Sequence, residues 1–166
     1  MLRLQNQDTL RRLNFKHPAT WVATWGGCGL IQPGPGTWGT IGAMPFGIIL
    51  LMFGGIPLLL IAIALAFALG IWASRHVEQM VREKDSGMIV IDEVVGVLIA
   101  LIPAILTGPA VGTAFILFRI FDILKPWPIS FLDKKCPGAW GVMLDDVLAG
   151  IYAALIMIGL RYAGLF

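Results

Sequence analysis

The chain has 166 residues, 58% of them hydrophobic and 13% charged, where an ordinary soluble domain is about 45–50% apolar and about 25% charged. That balance excludes most soluble folds, whose helices need a polar face, and points to an integral membrane protein. A net charge of only +2, with no interleaving of aromatic and basic residues, excludes a nucleic-acid surface. The two cysteines, Cys28 and Cys136, fit no metal-binding spacing and read as free thiols.

Residues 1–24 read as a basic interfacial arm whose Arg3, Arg11, Arg12 and Lys16 face anionic headgroups. No apolar core or small-residue cleavage site follows them, so they are not a secretory signal. Residues 25–166 read as a single transmembrane domain. It opens on "GGCGLIQPGPGTWGT" (26–40), a glycine-rich loop in which Gly36, Thr37, Gly39 and Thr40 form a candidate phosphate cradle at the start of a helix. The plainer alternative is a tight turn where the chain meets the membrane. The loop lacks the Gly-Lys-Ser/Thr of a P-loop and the βαβ setting of a dinucleotide site.

The apolar segments that follow predict an all-α, polytopic bundle of four to five membrane segments: 38–53, 57–74, 88–107, 109–124 and 142–163. The first is short and contains Gly39, Gly42 and Pro45, which suits a re-entrant segment as well as a span. "GGIP" (54–57) and "TGP" (107–109) break the apolar run, while 74–87 and 125–141 are polar loops. Lys and Arg are retained in the cytoplasm, so the arm, the 74–87 loop (Arg75, Arg82, Lys84) and the 125–141 loop (Lys125, Lys134, Lys135) fall inside. Arg161 alone runs against the pattern. Asp85 and Asp133 are assigned to the surface of these loops, with membership of the site as the alternative for Asp133, Trp21, Trp25 and Trp127 to the interface, and His17 and His76 to solvated positions.

An acid at the centre of a membrane helix costs about 2.5–3.5 kcal/mol, yet "MIVIDEVVGVLIALIPAIL" (88–106) carries two, Asp92 and Glu93. In this topology they lie about one turn from the inner end of their segment, as do Asp122 in the next and Asp145 and Asp146 in the last. Gly96, Ala149 and Gly150 each follow an acid by four residues and allow helix backbones to approach closely. Arg119, Asp122 and Lys125 recur every three residues and predict one stripe, with two cations flanking a carboxylate. Five carboxylates at one depth would repel one another unless further cations intervened. All-oxygen ligands without a Cys or His cluster imply Mg²⁺ or Mn²⁺ at Asp92, Glu93, Asp122, Asp145 and Asp146. Taken singly, Asp122 could merely pair with Arg119, and Asp145 could cap the last helix. Metal carboxylates, a basic stripe and an anion cradle at the inner interface point to phosphate chemistry on a lipid headgroup.

The blocks "PGTWGT" (35–40), "DSGMIVIDEVVG" (85–96) and "FRIFDILKPWPISFLDKKCPGAWGVMLDDVLAG" (118–150) resemble the phosphatidylglycerophosphatase A family. The family's pattern usually has proline at Gln32, glycine at Ala139 and serine at Thr40. The resemblance implies a Mg²⁺-dependent phosphatase of the bacterial cytoplasmic membrane. Its catalytic residues would be Asp92, Glu93, Arg119, Asp122, Lys125 and Asp146, beside Asp145, and its partners a phosphatidylglycerophosphate substrate and the bilayer. Such an enzyme would be multi-pass, with its site facing the cytoplasm. A carboxylate-based ion- or proton-coupled transporter is the alternative, although the internal repeat and midplane acids expected of that class are not visible.

Overall fold

A computed structural model describes residues 7–83, 86–136 and 138–166, apart from the side chains of Gln7, Asp8 and Lys134. Arg3, Lys84 and Asp85, which figure in the sequence reading, lie outside the described residues. Among the described residues every regular element is helical: α1 (Gln7–Arg12), α2 (Pro18–Ala23), a 3₁₀ turn (Cys28–Leu30), α3 (Pro35–Val81), α4 (Ile91–Leu101), α5 (Gly108–Leu124), α6 (Ile129–Lys135) and α7 (Ala139–Tyr162).

Among the described residues two helices, α3 and α7, are long and apolar enough to cross a bilayer. α3 follows Pro35 at its first position and breaks at Gly55 (φ 60°, ψ −158°), inside "GGIP", into two arms. Its most apolar stretch is exposed: Ile49, Met52, Phe53, Leu60, Ile61, Leu65 and Leu69 all face outward. A soluble core helix would bury these side chains. An outward band of this kind suits a hydrocarbon surround.

The expected polar loop at 74–87 is helical as far as Val81, because Ala73, Ser74, Val77 and Val81 keep one face of the helix buried. The acid-bearing segment is also shorter than expected. α4 has 11 residues, about 16 Å of helix against a hydrocarbon core of about 30 Å. Only Glu93 and Ile99 in it escape full burial, so α4 is the central helix of the bundle, sheathed by α3, α5 and α7 rather than by lipid. α5 matches its expected segment closely, α7 begins three residues earlier than expected, and α6 is a helix within the loop expected at 125–141.

Small residues set the tightest crossing. A Cβ at Gly150 would lie 2.3 Å from the carbonyl oxygen of Gly96, and one at Gly96 would lie 2.7 Å from that of Asp146. α4 and α7 therefore touch backbone to backbone one turn from their acids, as the glycine spacing predicts. The arm is packed into the bundle at α2: Ala19, Thr20 and Ala23 are buried, and Val90 N–H donates to the Ala23 carbonyl (2.8 Å) at the entrance to α4. His17 caps α2 by accepting from Ala19 N–H (3.2 Å) and stacks on His76.

Candidate active site

A polar cavity of about 290 Å³ lies where the start of α3, the first turn of α4, the end of α5, α6 and the early turns of α7 meet. A larger apolar cavity, about 400 Å³, lies between α2 and the two arms of α3 and carries no titratable group. The polar cavity is lined by Asp92 and Glu93 from α4, Arg119 and Asp122 from α5, Lys125 just beyond it, and Asp145 and Asp146 from α7. Helix direction contributes to this clustering. Asp92 and Glu93 occupy the first turn of α4, where exposed N–H groups favour negative charge, while Lys125 caps the C-terminal end of α5.

The charges are arranged in two ion-paired groups and a cluster of three acids whose Glu93 also faces Arg119. Arg119 Nη1 bonds Asp122 Oδ2 and stands 4.0 Å from Glu93 Oε1. Lys125 leaves the expected stripe. It caps α5 in the left-handed region (φ 43°), which turns its side chain toward α6 and α7, and its Nζ bonds Asp145 Oδ2 (2.5 Å) and Asp133 Oδ1 (2.7 Å). Burial works against the lysine's charge, but the carboxylates of Asp133 and Asp145 outweigh it and hold the ammonium protonated above its ordinary range. Asp145 Oδ1 also accepts from Asp146 N–H (3.0 Å).

The remaining acids gather more tightly. Asp92, Glu93 and Asp146 each present an oxygen within 4.8 Å of the others. Asp92 Oδ1 and Glu93 Oε2 are buried with no hydrogen-bond partner among the described residues. Buried carboxylate oxygens left without a donor are costly unless a cation meets them. An all-oxygen donor set fits a hard divalent ion. Asp122 and Asp145, expected in the same ligand set, lie outside this group and are held by Arg119 and Lys125.

Of the four loop residues expected to cradle phosphate, Gly36 lines the cavity, in the first turn of α3. Its backbone lies against Glu93, so that a Cβ there would sit 2.1 Å from Oε1 and 3.3 Å from Arg119 Nη1. Thr37, Gly39 and Thr40 do not line it. Gly39 packs on Val90, and the Thr40 hydroxyl donates to the Gly36 carbonyl (2.7 Å) within its own helix. Sequence reasoning missed Ser86 and Ile89 and favoured the loop surface over the site for Asp133; all three line the cavity. The apolar "ISFL" before Asp133, ending a turn that begins with "KPWP", was the available sign of a short helix folding back over the site.

Fold and cavity together define a helical protein with a bilayer-compatible exterior, holding acids and cations in one polar cavity. The sequence profile of phosphatidylglycerophosphatase A matches residues 21–161. The chain belongs to that family. It is 40% identical to phosphatidylglycerophosphatase A of Haemophilus influenzae over 161 residues, 96% of this chain and 98% of the relative. It is 34% identical to phosphatidylglycerophosphatase A of Escherichia coli over 148 residues, 88% of this chain and 85% of the relative. No solved structure matches it.

Proposed function

We propose that the chain is a phosphatidylglycerophosphatase that hydrolyses the terminal phosphomonoester of phosphatidylglycerophosphate, releasing phosphatidylglycerol and inorganic phosphate. The observation that carries this reading is the convergence of Asp92, Glu93, Asp122, Asp145, Asp146, Arg119 and Lys125 on a single cavity of a family member. The enzyme is a single domain of the bacterial cytoplasmic membrane, preceded by the basic arm. The two arms of α3, together with α5 and α7, cross the bilayer, and α4 lodges between them. By the distribution of Lys and Arg the site faces the cytoplasm.

Asp92, Glu93 and Asp146 would hold Mg²⁺, which when bound supplies Lewis-acid charge stabilisation to the phosphoryl oxygens. Arg119 and Lys125 offset the charge on the transferring group, and the Gly36 backbone meets its remaining oxygens at the start of α3. A carboxylate of the cavity orients a water and takes its proton. The water oxygen bonds to phosphorus as the ester P–O bond breaks, and the glycerol oxygen leaves with the electron pair and is protonated. The positions of Asp122 and Asp145, each fixed by a cation, keep those cations directed into the cavity. The transporter alternative is not favoured by the family to which the chain belongs.

The test is phosphate release from phosphatidylglycerophosphate by detergent-purified protein, with and without Mg²⁺, beside Asp92→Asn. Release that needs Mg²⁺ and falls at least about a hundredfold in the variant is expected. Folded wild-type protein that releases no phosphate with Mg²⁺ present would overturn the reading and direct attention to ion flux in liposomes.

A further inference from the structure

Lys125 is shared between two carboxylates of different character. The Asp145 side chain is 6% exposed and is also anchored by Asp146 N–H, whereas the Asp133 side chain is 39% exposed and is carried on the seven-residue α6 at the cavity's edge. Ion pairs with an exposed partner are screened by water and salt and contribute little, while a buried carboxylate gives up its only cation at high cost. An arriving phosphomonoester, a dianion near neutral pH, therefore competes for the ammonium with Asp133 far more readily than with Asp145.

We propose that Asp133 is a positioning residue acting through Lys125. Its carboxylate keeps the ammonium directed at the phosphate position when the cavity holds no phosphate, yields it when phosphate binds, and reclaims it to promote release of the inorganic phosphate product. The proposal rests on the reading of Lys125 as a phosphate-binding group. Asp133 in this role sets phosphate affinity through Lys125.

The experiment is calorimetric titration of inorganic phosphate into detergent-purified, Mg²⁺-loaded wild-type protein, Asp133→Asn, Asp133→Glu, Lys125→Met and the Asp133→Asn/Lys125→Met double variant, with melting temperatures measured alongside. Asp133→Asn is expected to bind phosphate about two- to fivefold more tightly than wild type, Asp133→Glu to stay near wild type, and the gain to vanish in the Lys125→Met background. An unchanged or weakened affinity in a normally melting Asp133→Asn protein would overturn the proposal. So would a gain that persists without Lys125, or no phosphate binding in any variant. The phosphatase reading is judged separately, by turnover of the lipid. A wild type without turnover but with the expected binding pattern would sink that reading and leave the exchange at Asp133 standing.

Discussion

At position 36 the backbone lies so close to Glu93 that any side chain larger than hydrogen must push the carboxylate away. Glu93 is the least buried of the three clustered acids and can swing, so Gly36→Ala is expected to displace it with little effect on the fold. Turnover should fall by about a hundredfold, the usual consequence of a misplacement near 1 Å, while the melting temperature stays close to wild type. Phosphate-release kinetics beside thermal unfolding check this, and a parallel collapse of both would mean that Gly36 serves the fold rather than the site. Arg119 is constrained in another way, bonding Asp122 while standing 4.0 Å from Glu93. A lysine keeps the charge but not the planar fork that can address two carboxylates. Arg119→Lys should therefore lose at least about tenfold in kcat/KM.

At the scale of elements, the crossing of α4 and α7 ties stability to chemistry. The neighbour of a Cβ at Gly150 would be the Gly96 carbonyl, a backbone atom that cannot rotate aside. Gly150→Ala must part the two helices, at a cost of about 1–3 kcal/mol. Because Asp92 and Asp146 each lie one turn from that contact, activity should fall with stability. Gly112 in α5 supplies the contrast. Nothing lies within 4 Å of a Cβ there, so Gly112→Ala should be neutral or stabilise by up to about 1 kcal/mol, as replacing a helical glycine does. Unfolding of the two variants in the same detergent, with turnover measured on each, tests the pair. α6 shows how an element escapes sequence reading. Its seven residues are too few for a clear period, and its Asp133 becomes part of the cavity only because α6 packs against α7.

For the molecule as a whole, an ion bound by the native cavity and not by the unfolded chain must stabilise the fold by mass action. Chelation with EDTA should lower the melting temperature and abolish turnover, and Mg²⁺ should restore both. Asp146→Asn, which removes one of the three clustered oxygens, should melt at nearly the same temperature with or without the ion. The topology has its own check. Cys136, at the end of α6, should react with a membrane-impermeant thiol reagent only when the cytoplasmic face is accessible. A cysteine introduced by Ile56→Cys, at the break in α3 and 47% exposed, should react only from the opposite side.

Composition and hydropathy determined the helical class and the outward apolar band of α3, because a bilayer demands long runs of apolar residues with self-satisfied backbones. They also exposed the five acids, since charge inside an apolar run is costly enough to stand out, and the i, i+4 glycines revealed where helices approach. Other features depended on contacts between residues far apart in the chain. α4 has the composition of a span, yet it is the sheathed centre of the bundle, and periodicity cannot separate a helix surrounded by protein from one surrounded by lipid. The stripe of Arg119, Asp122 and Lys125 was legible, but its division was not. A left-handed residue at the end of α5 gives Lys125 to Asp145 and Asp133, while Asp92, Glu93 and Asp146 gather as a separate cluster that Arg119 approaches at Glu93. Sequence can place charges at a common depth. Which charge neutralises which is decided by side-chain direction and by three-dimensional packing.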